Sequence, residues 1–285
     1  MIELTDVSLR YGETAESVQV LERLSLTVPP GERCVLIGPS GCGKSSLLQV
    51  LAGLIPPQAG KINVGGQAIT GPRQQTSYIL QDFGLFPWKT VEENVALGLR
   101  IQGTGRSDAF RAIQPILSRL GLAGMEKRYP RQLSGGQRQR VAVGRALATK
   151  PDLLLMDEPF SALDALTRES LQNLILEIAQ REGLTVLLVT HSIEEAALLG
   201  QRILIFDGPP LRLLDNIENP CSGRPDYRRD RAFHETCNRI RAVLDKLIKV
   251  GDLQQKRQNF CNGIDLGEDA RKAPFSAEEV SSDEP

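Results

Sequence analysis

The chain has 285 residues, with 41% hydrophobic and 24% charged residues and a formal net charge of −1 at pH 7. That is enough ordinary apolar material for one large α/β domain with an appended piece, and the near-zero charge leaves no electrostatic footprint for nucleic acid. No apolar run of about eighteen residues occurs and Met1-Ile2-Glu3-Leu4 has neither a basic region nor an apolar core, so neither a membrane span nor a signal peptide is expected.

Ile2, Leu4, Val7 and Leu9, then Val18, Val20, Leu24, Leu26 and Val28, predict an antiparallel layer whose hairpin tip is the polar stretch from Tyr11 to Gln19. Pro29-Pro30-Gly31 turns the chain into a buried strand, Arg33-Cys34-Val35-Leu36-Ile37. Gly38-Pro39-Ser40-Gly41-Cys42-Gly43-Lys44-Ser45 fits G-x-x-x-x-G-K-[ST] and leads into a helix from Lys44 to Leu54. In that pattern backbone N–H groups wrap a β-phosphate at a helix N-terminus, and glycine lets the backbone approach and take positive φ. Lys44 would then neutralise the β- and γ-phosphates and the Ser45 hydroxyl would ligate Mg²⁺.

A strand, Thr76 to Leu80, precedes Gln81, and Phe83-Gly84-Leu85-Phe86-Pro87-Trp88 places three aromatics just beyond it. From about Trp88 to Ala148 the pattern is helical, with Asp108 to Leu120 amphipathic and a helix from Gln137 started by Ser134 and its glycines and closed before Pro151. The apolar strand Leu153 to Met156 delivers Asp157 and Glu158 to the carboxyl edge of a parallel sheet, where open α/β folds bind ligands. Ser161-Ala162-Leu163-Asp164 reads as a helix N-cap, and a further apolar strand, Thr185 to Thr190, ends at His191. A helix is expected over Phe233 to Leu247, and from about Lys249 the chain turns polar and then acidic, which predicts a disordered tail.

The phosphate loop followed by Leu133-Ser134-Gly135-Gly136-Gln137 resembles the ATPase subunits of ABC transporters, with the motifs in family order from Met1 to Leu214. The resemblance implies an α/β P-loop NTPase of ABC type, with a mixed core sheet, an N-terminal antiparallel β layer and an inserted α-helical subdomain. The ATPase domain would be 1–248, its core 1–87 and 149–248 and its helical subdomain 88–148, leaving 249–285 as the tail. ATP would be held by Gly38, Pro39, Ser40, Gly41, Cys42, Gly43, Lys44, Ser45 and Ser46, with Tyr11 stacked on adenine. Ser45, Gln81 and Asp157 would serve Mg²⁺, although Leu80 stands where family members often carry Phe. Glu158 would be the catalytic carboxylate beside the attacking water, supported by Lys44, Gln81 and the switch histidine, His191. Ser161 and Asp164 would signal between two ATP sites. Ser134, Gly135, Gly136 and Gln137 would act on ATP held by a partner, so that two protomers sandwich two nucleotides head to tail.

Phe83, Phe86 and Trp88 would receive a coupling helix of a membrane permease, since aromatics make good interface anchors. Leu85-Phe86-Pro87-Trp88-Lys89-Thr90-Val91-Glu92-Glu93-Asn94-Val95 further resembles the subgroup serving nitrate, sulfonate, taurine and bicarbonate importers. The implied partners are a second ATPase subunit, identical or a sibling, an integral membrane permease and, indirectly, an extracytoplasmic solute-binding protein. The chain would sit on the cytoplasmic face of the cell membrane. An exporter or lipid-extraction ATPase, or a soluble ABC ATPase outside transport, remain the alternative readings. Five cysteines without C-x-x-C suit a reducing compartment. Cys42, at a helix N-terminus, is expected to have a depressed pKa and to be alkylated with loss of hydrolysis.

Overall fold

The computed structural model describes residues 1–12, 17–161 and 163–261, with side chains through 247. Two long strands, β1 (Ile2–Tyr11) and β2 (Val18–Val28), pair antiparallel, Ile2 against Val28 and Tyr11 against Val18. Their alternating apolar side chains are buried on one face. β3 (Arg33–Ile37) follows and is buried at every position. After α1 (Lys44–Leu51) come β4 (Ala59–Val64) and β5 (Gln67–Ala68), which complete a four-stranded sheet in the order β2-β1-β4-β5. Gly60 packs against the β1 backbone: a Cβ there would lie 2.5 Å from the Asp6 carbonyl oxygen.

β6 (Thr76–Ile79) opens onto a helical stretch: α2 (Val91–Val95), α3 (Leu97–Ile101), α4 (Arg106–Arg119) and α5 (Gly135–Ala148). β7 (Leu153–Asp157), α6 (Ala165–Glu182), β8 (Thr185–Thr190), α7 (Ile193–Leu199), β9 (Arg202–Asp207) and β10 (Arg212–Glu218) then build the second sheet. Its order is β10-β9-β3-β8-β7-β6, parallel except for β10.

The central strands read as continuous apolar runs because both their faces are covered. On one face Cys34, Leu36, Leu155, Leu187, Val189 and Phe206 share a core with α1 and the antiparallel sheet. On the other, Val35, Ile37, Leu154, Met156, Val186 and Leu188 share a core with α2, α4, α5, α6 and α7. The sheet is thus the wall between two cores, and its carboxyl edge carries four loops side by side, since β3, β8, β7 and β6 are neighbours.

Met1–Leu244 forms one compact unit, and the described residues from Asp245 on fall outside it. The last helix, α8 (Arg231–Cys261), runs past residue 248, where the polar tail was expected to begin; residues 262–285 of that tail lie outside the described residues. No helix among the described residues is long and apolar enough to cross a membrane.

Candidate active site

The loop between β3 and α1 is shaped by close approach. A Cβ on Gly38 would stand 2.3 Å from the Phe206 carbonyl oxygen, and Gly41 and Gly43 take φ of +80° and +112°, a region that favours glycine. Gly43 is the N-cap of α1 and makes no side-chain capping bond, whereas α2, α5, α6 and α7 are capped by Thr90, Ser134, Asp164 and Ser192. The first amide groups of α1 are left facing the loop's concavity with the helix dipole behind them. Lys44 is buried and its ammonium donates to the carbonyls of Gly38 (2.9 Å) and Pro39 (2.6 Å). Pro39 and Ser40 are exposed.

Asp157, the last residue of β7, stands beside this loop. Its Oδ1 accepts from the Ser45 hydroxyl at 3.0 Å and its Oδ2 from the Tyr78 hydroxyl at 3.3 Å. Burial pushes the Asp157 carboxyl above the usual range, a shift opposed by those two hydrogen bonds. Burial also raises Tyr78, whose hydroxyl, next to Asp157, stays a donor. The oxygens of Ser45 and Asp157 form the donor set that a hard cation such as Mg²⁺ prefers.

Glu158 takes φ of +45°, unusual for a residue with a side chain. Its amide donates to the Val189 carbonyl at 2.9 Å, and its carbonyl accepts from the Ser161 hydroxyl at 3.0 Å. These bonds hold the turn so that Glu158 Oε2 lies 3.2 Å from Nδ1 of His191, whose side chain is 61% exposed. A carboxylate and an imidazole in contact at the sheet edge form a pair able to orient water and pass protons.

Other predicted residues fall nearby or apart. The Tyr11 hydroxyl donates to Ser46 Oγ at 3.3 Å, so the ring stands beside the start of α1. Gln81 is exposed two residues beyond the end of β6. Ser134 and Gln137 satisfy one another in a reciprocal cap: Ser134 Oγ accepts the Gln137 amide (3.3 Å) and Gln137 Oε1 accepts the Ser134 amide (3.0 Å). Gly135 follows the cap, and Gly136 is buried against α6, where a Cβ would lie 2.2 Å from Thr167 Cγ2. Among the described residues none of these four shares a hydrogen bond with the loop at 38–46. Asp164 caps α6 by accepting the Thr167 amide at 3.0 Å, a bond that holds its carboxyl below the usual range.

Two expectations need correction. Cys42 is fully buried and its thiol is pushed up, chiefly by burial, with Lys44 only partly opposing; the helix N-terminus does not decide the matter. Alkylation of the folded protein at Cys42 is therefore not expected. Phe83 is turned into the core at φ +67°, so it is not a surface anchor. Trp88 is 68% exposed and packs on Phe86 with ring centroids 5.3 Å apart.

Several polar clamps escape a reading of the sequence. Arg145 of α5 donates to the carbonyls of Gly84 (2.6 Å) and Phe83 (2.7 Å), tying that helix to the loop after Gln81. Gln139, fully buried on the same helix, donates to the Pro159 carbonyl. Thr190 donates to Glu195 on α7 at 2.5 Å. Each sits on a helix or strand whose motif lies elsewhere, and only the register of the packed elements brings it to the site.

Residues 21–161 match the family model described as ABC transporter. The chain is 43% identical over 217 residues to the taurine import ATP-binding protein TauB of Escherichia coli (strain K12), covering 76% of this chain and 84% of that protein. It is 41% identical over 258 residues to the Pseudomonas aeruginosa protein of the same name, covering 87% of this chain and 96% of that one. Among solved structures, the dimeric MJ0796, a bacterial ABC transporter cassette, superposes with a TM-score of 0.69 at 30% identity, over 76% of this chain and 98% of that chain. A dimeric post-hydrolysis state of the same cassette bound to ADP and Pi gives 0.69 at 29% identity over the same shares.

Proposed function

The chain belongs to the ABC transporter family and is an ATPase, and from that premise we propose that it powers an importer of a small anion such as taurine, another sulfonate, nitrate or bicarbonate. The observation that carries the catalytic reading is the pairing of Ser45, at the start of α1, with Asp157, at the end of β7, at 3.0 Å, and of Glu158 with His191, the residues just after the adjacent parallel strands β7 and β8, at 3.2 Å. The cargo reading rests on the import protein named in the relatives and on the Leu85–Val95 stretch.

In this reading the loop amides and Lys44 take the phosphates, with Lys44 exchanging two neutral carbonyl acceptors for anionic oxygens. Tyr11 offers its ring to the base. Ser45 and Asp157, with Gln81, would hold Mg²⁺, which when bound supplies neutralisation of phosphate charge. Glu158 orients and deprotonates water, and His191 fixes the carboxylate that does so. Positioning and charge compensation do most of the work in such phosphoryl transfer.

Ser134, Gly135, Gly136 and Gln137, capping α5 away from their own loop, would complete the site of a second copy or a sibling ATPase, with Ser161 and Asp164 between the two sites. The solved cassettes of similar fold are dimeric, which supports this arrangement. Phe86 and Trp88 would meet the permease, placing the chain at the cytoplasmic face of the membrane with a solute-binding protein on the far side.

Glu158→Gln should bind MgATP, run as a dimer only with ATP on size-exclusion chromatography, and hydrolyse at least about a hundredfold more slowly than wild type. Wild-type turnover in that variant would remove Glu158 from its role. Co-purification of a polytopic permease from native membranes, with hydrolysis stimulated by a taurine-loaded binding protein, tests the importer; recovery of only soluble partners would overturn it.

A further inference from the structure

His191 is held by its neighbours more than by its own side chain. Thr190, the last residue of β8, donates its hydroxyl to Glu195 Oε2 at 2.5 Å, and the same hydroxyl accepts the Ser192 amide at 3.1 Å. Ser192 Oγ in turn accepts the Glu195 amide at 3.3 Å. Both residues flanking His191 are therefore fastened to Glu195, which is only 7% exposed.

The other carboxylate oxygen of Glu195 faces Arg168 Nε at 3.9 Å, and a terminal nitrogen of Arg168 donates to the Leu163 carbonyl at 2.7 Å. Leu163 lies between Ser161 and Asp164, and Arg168 stands in the first turn of α6, the helix Asp164 caps. A small polar cavity of about 60 Å³ joins these groups, lined by Glu158, Ser161, Arg168, His191 and Glu195 among others. It has room for water and none for a nucleotide.

A buried carboxylate is costly unless its partners are close, and here the cation sits at the outer limit of an ion pair. Glutamine could keep the Thr190 bond without that cost, so the negative charge itself points to a task. We propose that Glu195 is a positioning residue for His191, with Arg168 linking its carboxylate to the Leu163 carbonyl ahead of α6, so that the contacts of Thr190, Glu195 and Arg168 set how His191 is presented to Glu158. This rests on the proposed role of His191.

The experiment is steady-state MgATP hydrolysis and equilibrium binding of a fluorescent ATP analogue by the purified full chain carrying Thr190→Val, Thr190→Ser or Glu195→Gln, each alone and combined with His191→Ala. Thr190→Val and Glu195→Gln should each lower kcat about tenfold with KM and binding within about twofold. Thr190→Ser should restore kcat, because it restores the hydroxyl. On the His191→Ala background neither change should reduce the residual rate further, since a residue acting only through His191 has nothing left to position. Wild-type kcat in Glu195→Gln, or losses that multiply with His191→Ala, would overturn the relay. Absence of MgATP turnover in the wild-type chain would instead overturn the ATPase reading, and the relay with it.

Discussion

Asp157 shows how a single side chain can work against the fold and still be the one proposed to serve Mg²⁺. Its folded pKa is raised, chiefly by burial, so the protein favours the protonated acid more than the unfolded chain does. The stabilising contribution of that protonated form is present below the unfolded pKa of about 3.9 and is lost as pH rises through the folded value. At neutral pH the ionised carboxylate therefore works against the fold. Asp157→Asn is expected to melt above wild type at pH 7 in Mg²⁺-free buffer, with the gap closing toward about pH 4, and to lose hydrolysis. A fluorimetric melting series across pH checks this, and a gap that widens on acidification contradicts it. Glu195 is raised for the same first reason, which is why its glutamine variant is expected to fold.

At the scale of elements, α5 acts through its side as well as its N-terminus. Ser134 caps it, but three turns on Arg145 reaches the carbonyls of Phe83 and Gly84, two successive residues at positive φ. Removing the guanidinium leaves two partly buried acceptors without their donor, at about 1–3 kcal/mol each, and frees a loop whose backbone is held in a sparsely populated conformation. Arg145→Ala should raise the proteolytic susceptibility of the 81–88 loop and weaken permease stimulation more than basal turnover. Limited proteolysis alongside the two ATPase assays decides it; unchanged cleavage would show that the loop holds itself. Much of this level was legible in advance. β1, β2, β3, β6, β7, β8 and α5 follow from apolar runs and local glycine chemistry. By contrast β4, with its glycine and lysine, and the clamps at Gln139, Arg145 and Arg168 carry no periodic signal, because their partners lie on other elements.

Across the whole molecule, the phosphate loop, Gln81, Asp157-Glu158 and His191 were readable because each follows an apolar strand, and the strand order sets them side by side; the motif at 133–137 was readable as the cap of α5. What could not be read was burial, a property of the assembled cores: it reverses the expectation for Cys42 and takes Phe83 out of the surface. Trp88 is left exposed on the perimeter beside Phe86. Truncating an exposed ring changes stability little, within about 0.5 kcal/mol. Trp88→Ala should thus melt like wild type and yet lower the affinity for the permease in detergent, as titrated by fluorescence anisotropy. Equal affinity would return Trp88 to an ordinary surface role.

Because the six-stranded sheet is the shared wall of two cores, a change in β3, β7 or β8 is felt on both sides at once, while the Trp88 side chain belongs to neither. Tolerance to substitution is therefore distributed unevenly by the packing itself. The ring of Trp88 can therefore be exchanged without disturbing the strands that end at Asp157 and Thr190, whereas one altered side chain in those strands must be absorbed by a core on its own face of the wall.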